Sequence, residues 1–333
     1  MRDIGLFKIF SNRSGGNIYK DQVLSALSGN FNASYVSLEA GYFKNRYFKA
    51  IESFIKLLFF KGEKDLWIRD FYSTIALNKK NTKGKNVSLV FHIDFSGNRL
   101  IPRMLLPLLE KVFFYRQLKR ADAIVVISEY WKDYFLKKGF KNVYTIYCGF
   151  DLENFNISEK EVFDFKKKYG LEGKPIIYLG NCQRPKGVVD AYDALKDLPV
   201  HFITSGKETV KIPALNIDVD YKEYLLLLKA STVAIAMSKF QEGWCMTAHE
   251  AMLLQVPVIG SGKGGMKELL ESGGQIMCQD FGDLKNNVEY LLNNPAERKR
   301  IGKMGYNYAK EFTLENFKKG WLDERISPEP QRR

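Results

Sequence analysis

The sequence predicts an α/β protein built from two doubly wound parallel sheets, and three observations carry that expectation. Short β-rich apolar runs alternate with stretches of roughly 10–20 residues whose apolar positions recur near every 3.6 residues, the pattern of parallel strands joined by crossover helices. Eleven such runs can be marked, more than one doubly wound sheet usually holds. The chain has 333 residues, 45% of them hydrophobic and 27% charged, enough for two domains that each bury a core.

The expected strands are Ile4–Phe10, Tyr35–Leu38, Asp65–Ile68, Val87–Ile93, Ala123–Ile127 and Val143–Ile146 in a first domain. Pro175–Leu179, Val200–Thr204, Val233–Met237, Val256–Gly260 and Gln275–Cys278 follow in a second. Asp3 and Lys8 interrupt the apolar opening "MRDIGLFKIF", which therefore reads as a first strand rather than a signal peptide. The turn Cys148-Gly149-Phe150-Asp151 closes the first series, and the charged "SEKEVFDFKKKYG" leads into the next. The expected domains are 1–150 and 151–310, with 311–333 forming a helix that returns toward the first domain and the tail "RISPEPQRR" disordered.

No apolar run approaches the roughly 18 residues of a membrane span. Cys148, Cys182, Cys245 and Cys278 lie far apart with no CxxC pair, and three histidines add little. That pattern argues against a metal site or disulfide framework and for reduced thiols in the cytoplasm. The net charge of +13 is unevenly placed: residues 1–150 hold 25 basic and 12 acidic side chains, and the remainder 26 of each. The first half therefore faces an anionic partner, either nucleic acid or a phospholipid surface.

The densest chemistry lies in "MSKFQEGWCMTAHEAML", residues 237–253. The buried strand "VAIAM" leads into a loop holding Glu242, and a helix expected from Met246 or Thr247 to Leu254 holds Glu250 about one turn in. Ligands of open α/β sheets bind outside the strand ends. The free N–H groups of Trp244, Cys245, Met246 and Thr247 at such a helix start suit phosphate oxygens, and Gly243 just ahead of them is counted with the donor-binding residues. Carboxylates on either side of an anion site suit a polyhydroxylated phosphate ester, since each accepts hydrogen bonds from vicinal hydroxyls. In "IIYLGNCQRPKGVVDAYDAL", Arg184 and Lys186 project from another strand-end loop, where two cations neutralise a diphosphate.

The segment "SKFQEGWCMTAHEAMLLQVPVIGSGKGGMKELL" resembles the donor-binding part of the family 4 retaining glycosyltransferases. Glu242 and Glu250 match its Glu-x7-Glu element, and Ala251-Met252, Pro257-Val258-Ile259, Gly264-Gly265 and Glu268 follow in order. The resemblance implies a GT-B fold, two facing Rossmann-like domains with a cleft between them. It also implies that Glu242 contacts donor-sugar hydroxyls and that Glu250 binds the nucleotide ribose. Cys245 stands where that family usually has glycine, and Asn181 where it usually has arginine, which passes the phosphate role to Arg184. His92, ending the strand of "VSLVFHIDFSG", matches a family histidine that points toward the donor sugar, with Asp94 beside it. Gly16 of "SNRSGGNIYKDQVL" matches the glycine-rich loop near the donor phosphates.

The implied activity is hexosyl transfer with retention, from a nucleotide sugar to a glycan or lipid-linked acceptor, in glycan biosynthesis. No Asp-x-Asp element stands in a suitable loop, since Asp218-Val219-Asp220 precedes a helix, so no metal and no further cofactor is expected. "GYFKNRYFKAIESFIKLLFFKG" puts Phe43, Tyr47, Phe48, Ile51, Phe54, Ile55, Leu58 and Phe59 on one helical face and Lys44, Lys49, Glu52 and Lys56 largely opposite. That fits a helix lying in an anionic membrane interface, or equally a core-packing helix with a solvated face. "RLIPRMLLPLLEKVFFYRQLKR" is a second basic–apolar stretch. The expected place is the cytoplasm, peripheral on the inner face of the membrane. A nucleotide-sugar epimerase of the same architecture is the rival enzyme. A nucleic-acid-binding protein is the rival without chemistry, but no module of that kind is present.

Overall fold

The computed structural model describes residues 2–8, 15–38, 41–42, 46–93 and 114–328. The chain forms two compact units, Met1–Gly149 with Leu314–Arg333, and Phe150–Thr313. Asp94, Phe43, Lys44 and most of the second basic–apolar stretch lie outside the described residues, as does the loop ahead of Gly15.

In unit 1 the elements run β1 Asp3–Lys8, α1 Gly15–Ser28, β2 Asn32–Ser37, α2 Arg46–Phe59, β3 Gly62–Arg69 and α3 Phe71–Ile75. They continue with β4 Thr82–Val90, β5 Ala123–Val126, α4 Glu129–Lys137 and β6 Val143–Thr145. The sheet order is β2-β1-β3-β4-β5-β6, every pair parallel. All four residues of β5 are buried, as a central strand covered on both faces requires. The closing helix Leu314–Trp321 packs on α1: the Phe317 ring meets Tyr19 edge-on at 5.0 Å, and the Tyr19 hydroxyl donates to the Ile146 carbonyl at 2.7 Å.

The α2 helix departs from the expected polar face. Glu52 and Ser53 are buried, while Phe48, Ile51, Ile55, Leu58 and Phe59 are exposed. Among the described apolar side chains of the helix, Leu57 is buried and Phe54 half-buried. The cause is a hydrogen-bonding demand: the Glu52 carboxylate accepts from the backbone N–H of Gly41 at 2.9 Å and of Tyr42 at 3.2 Å, and pairs with Lys56 at 2.7 Å. Satisfying those amides rotates the carboxylate inward and the apolar stripe outward.

Unit 2 begins with α5 Glu159–Tyr169, closed by a reciprocal Ser158–Glu161 capping box and by Gly170 in the left-handed region. β7 Ile176–Asn181, α6 Val188–Leu195, β8 His201–Ser205, β9 Leu215–Ile217 and α7 Tyr221–Ala230 follow. Then come β10 Val233–Ala236, α8 Met246–Leu253, β11 Val258–Gly260, α9 Gly265–Ser272, β12 Ile276–Met277, α10 Leu284–Asn293 and α11 Pro295–Ala309. The parallel sheet is ordered β12-β11-β10-β7-β8-β9. The order reverses between β7 and β10, which opens a crevice at their carboxyl ends. Ile177, Leu179, Val233, Ile235 and Ile259 of the sheet pack on Val188, Ala191 and Leu195 of α6 and on Leu284, Val288 and Leu291 of α10. Each valine, leucine or isoleucine among them contributes about 1.5–3 kcal/mol on burial.

All eleven expected strands are present, with ends shifted by a few residues. Leu215–Ile217 is an additional strand. It is three residues long, lies at the sheet edge and exposes Leu215, so it lacks the apolar run that marks the others.

Candidate active site

The site of unit 2 is built where three strand-end loops are stitched together. Gly187, with φ of 78°, closes the turn after β7, and a Cβ there would lie 2.1 Å from the Met237 carbonyl oxygen. The Lys239 N–H donates to the Pro185 carbonyl at 2.9 Å, tying the β10 loop to the β7 loop. The Glu242 N–H donates to Lys263 O at 3.2 Å, and its carbonyl accepts from Gly265 N at 2.9 Å. Gly264, at φ of 68°, permits that approach, since a Cβ would meet the Glu242 oxygen at 2.3 Å. Backbone bonds therefore set where Glu242 sits.

Its side chain is 7% exposed. Oε1 accepts from the Lys186 ammonium at 2.6 Å and from the Ser238 hydroxyl, and the Ser238 carbonyl is itself held by Ser261 at 2.9 Å. Burial pulls the Lys186 pKa down, but the Glu242 carboxylate and its hydrogen bond, with Cys245 nearby, outweigh it and leave Lys186 above the ordinary lysine value. The ammonium also lies over the Phe240 ring at 5.0 Å. Arg184, in the short turn Arg184–Lys186, is exposed and its guanidinium bonds to no described residue. Asn181 takes the Ser205 hydroxyl at 3.0 Å on its side-chain oxygen.

The loop enters α8 through Gly243, Trp244 and Cys245, all buried. Cys245 adopts φ 75° and ψ 72°, a left-handed conformation that L-residues other than glycine seldom take. Burial pushes its thiol up to about 12. The amides of Cys245, Met246 and Thr247 find no backbone acceptor among the described residues, so they are donors open to an anion. The Trp244 indole turns into the core instead, donating to Nδ1 of His249 at 3.0 Å.

Glu250, 5% exposed, accepts the Tyr221 hydroxyl on Oε1 at 3.1 Å and the Tyr224 hydroxyl on Oε2 at 3.0 Å. Both glutamates are thus drawn inward rather than into solvent. Asp220, half of the Asp-x-Asp pattern, is the N-cap of α7, accepting from Glu223 N at 2.9 Å. Ser238, Tyr221 and Tyr224 escaped the sequence reading. The two tyrosines, three apart behind a capping aspartate, lie on one helical face, and that spacing was the available signal.

In unit 1, Gly16 is the second residue of α1 and His92 stands two residues beyond β4, exposed. The Cβ position of Gly16 lies 3.0 Å from the Phe91 ring, so these two residues meet at one end of their sheet.

Two families match the sequence. Residues 215–308 match "Glycosyl transferases group 1" and residues 43–154 match "Glycosyltransferase Family 4". An uncharacterized glycosyltransferase of Methanocaldococcus jannaschii is 28% identical over 62% of this chain and 59% of its own length. Spore coat protein SA of Bacillus subtilis is 26% identical over 53% and 55%. The chain thus spans little more than half of either relative. Among solved structures, sucrose-phosphate synthase of Thermosynechococcus elongatus superposes with a TM-score of 0.79 at 18% identity, covering 96% of both chains. HepE of Anabaena, in complex with UDP-glucose, superposes at 0.76 and 16%, covering 96% of this chain and 98% of its own. At such identities the likeness establishes the fold, which is GT-B.

Proposed function

The chain belongs to the glycosyltransferases, group 1 across residues 215–308 and family 4 across 43–154, and from that premise we propose that it transfers a hexosyl group from a nucleoside diphosphate sugar with retention of configuration. The observation that carries the reading is the pair of buried carboxylates, Glu242 and Glu250, on either side of the open N-terminus of α8. Glu250 takes the ribose hydroxyls and Glu242 the sugar hydroxyls. The diphosphate lies against the Gly243–Thr247 main chain, with Arg184 and Lys186 beside it. An ammonium has three N–H donors, so the bond from Lys186 to Glu242 leaves two for phosphate oxygens.

As the bond from C1 to the phosphate oxygen breaks, its electron pair moves onto the leaving diphosphate. The preorganised amides and the two cations meet that charge, at about 3 kcal/mol for each donor. The acceptor oxygen bonds C1 on the same face through an oxocarbenium-like state, and its proton passes to the departing phosphate.

The acceptor is a glycan or a lipid-linked sugar reached at a membrane surface. The exposed apolar stripe of α2 and the lysines at its C-terminal end support this, because Asn81 donates to the Leu58 carbonyl at 3.3 Å and sets exposed Lys79 and Lys80 beside that end. No described helix is long and apolar enough to cross a membrane.

The test is incubation of the protein with UDP-, GDP- and ADP-sugars, with and without acceptor. Slow release of free sugar, abolished in Glu242→Gln, is the expected result. Interconversion of nucleotide sugars without acceptor would point to an epimerase, and a glycosyl group trapped on any side chain would overturn the front-face route.

A further inference from the structure

Unmatched positive charge in unit 1 collects along one edge of its sheet, the edge where the strands begin. Lys61 directly precedes β3, Lys80 stands two residues before β4, Lys119 and Arg120 come just before β5, and Lys141 just before β6. All five are exposed. β3, β4, β5 and β6 are neighbours in the sheet, so these cations form a row that spans roughly 15 Å at the usual strand spacing.

The acidic groups at that edge are already taken. Asp3 pairs with Lys64 at 3.6 Å, Glu63 with Lys83 at 3.4 Å and Asp122 with Lys79 at 2.6 Å. Asp65 accepts the Asp3 N–H at 2.7 Å. The five cations of the row meet no carboxylate at ion-pair distance among the described residues. At the opposite edge the balance differs: Lys20 is buried against Asp70 at 3.1 Å, and Lys132 pairs with Glu129 at 3.0 Å.

The basic edge also carries apolar groups. α2 ends there in Leu58 and Phe59, 41% and 76% exposed, two residues ahead of Lys61. Asn81 holds this end in place, since its side chain donates to the Leu58 carbonyl and its own carbonyl accepts from Gly62 N at 2.9 Å. Cations beside an exposed leucine and an aromatic ring suit an anionic bilayer, where the charges meet headgroups and the apolar tip enters the acyl boundary. A nucleic acid would satisfy the charges but offers Leu58 nothing.

We propose that unit 1 stands on an anionic bilayer through this amino-terminal strand edge, with the end of α2 inserted. The edge carrying Gly16 and His92 then faces away from the lipid. β3 and β4 are 8 and 9 residues long, which separates the two edges by roughly 25–30 Å at about 3.3 Å per residue. An acceptor hydroxyl reaches the far edge on a glycan that projects from its lipid, so the substrate is a lipid-linked oligosaccharide rather than a lipid headgroup. The inference rests on the reading of the chain as a transferase with a membrane-borne acceptor.

The test uses site-directed fluorescence. All four cysteines are buried, so an introduced surface cysteine takes a thiol-reactive dye selectively. Lys141→Cys puts the dye at the basic edge, and Tyr130→Cys, at a position 37% exposed in the first turn of α4, puts it at the opposite one. On phosphatidylglycerol vesicles containing a nitroxide lipid, the dye at 141 should be quenched strongly and the dye at 130 hardly at all. Separately, the triple variant Lys80→Gln, Lys119→Gln, Arg120→Gln should weaken vesicle partitioning about 100-fold, near fivefold for each charge, with an unchanged melting temperature. Equal quenching at both positions, or more at 130, overturns the proposal while leaving membrane binding in place. Undiminished partitioning of the triple variant assigns the contact to α2 alone and overturns it as well. Tighter binding of an oligonucleotide than of vesicles, lost in that variant, overturns it in favour of nucleic acid. If wild type does not bind phosphatidylglycerol vesicles at all, the membrane-borne acceptor fails and the proposal with it.

Discussion

The Trp244 indole N–H donates to Nδ1 of His249 at 3.0 Å, and the opposite ring nitrogen of that histidine donates to the Ala309 carbonyl at 3.0 Å. With Nδ1 accepting, the proton must sit on Nε2, so the imidazole is neutral and its tautomer is set. Phe150 stacks on the same ring at 4.1 Å and Phe312 meets it edge-on at 5.0 Å. One residue of the Glu-x7-Glu element therefore clamps the loop carrying Glu242 to the first and last segments of unit 2.

Burial holds the His249 pKa at about 3, below its ordinary 6.5, with the Ala309 bond opposing only part of the shift. The unfolded chain thus binds more protons than the folded one between those values. Stability should be fully present above pH 6.5 and fall as the pH drops toward 3, by up to about 5 kcal/mol from this residue. Urea denaturation from pH 7 to 4 should show that slope, and His249→Gln should flatten it. An unchanged slope would remove His249 as its source.

The Lys186–Glu242 pair makes a separable prediction. Lys186→Met removes the counter-charge of a buried carboxylate and should cost about 3 kcal/mol, the low end for buried pairs because the lysine side chain is 29% exposed and the Ser238 hydroxyl still donates to Glu242. Adding Glu242→Gln should recover most of that stability while transfer stays at least 100-fold down. Chemical denaturation beside a donor-hydrolysis assay distinguishes the two effects. Full activity in the double variant would dismiss the site.

Cys245 stores backbone strain where the resembled family has glycine. Cys245→Gly should relieve it and raise stability by about 0.5–1 kcal/mol, whereas Cys245→Ala keeps the strain and gains nothing. Comparing the melting temperatures of the two variants checks this directly. Ala matching Gly would mean that the conformation at φ 75° costs little here.

The α2 surface should bind anionic vesicles and release them with salt. Five exposed apolar side chains with lysines at the helix end predict co-sedimentation with phosphatidylglycerol liposomes at low ionic strength, and little with phosphatidylcholine. Ile55→Glu with Phe59→Glu should abolish it without loss of donor hydrolysis. Sedimentation unaffected by those changes would place the contact elsewhere.

The alternation of apolar runs by itself determined the two parallel sheets, because a strand buried on both faces must be continuously apolar and a crossover helix must repeat near 3.6 residues. It likewise placed Glu242 and Glu250 around a helix start, since strand, glycine-containing turn and helix are neighbours in the chain. The edge strand Leu215–Ile217 carries too little burial to leave such a trace. Tertiary structure alone decided that Lys186 pairs with Glu242 across 56 residues, that Tyr221 and Tyr224 hold Glu250, and that Glu52 turns inward while its apolar neighbours face out. Those outcomes depend on which backbone amides and buried oxygens lack partners once the sheets are assembled, and unmet hydrogen bonds at distant positions leave no periodic mark in a sequence.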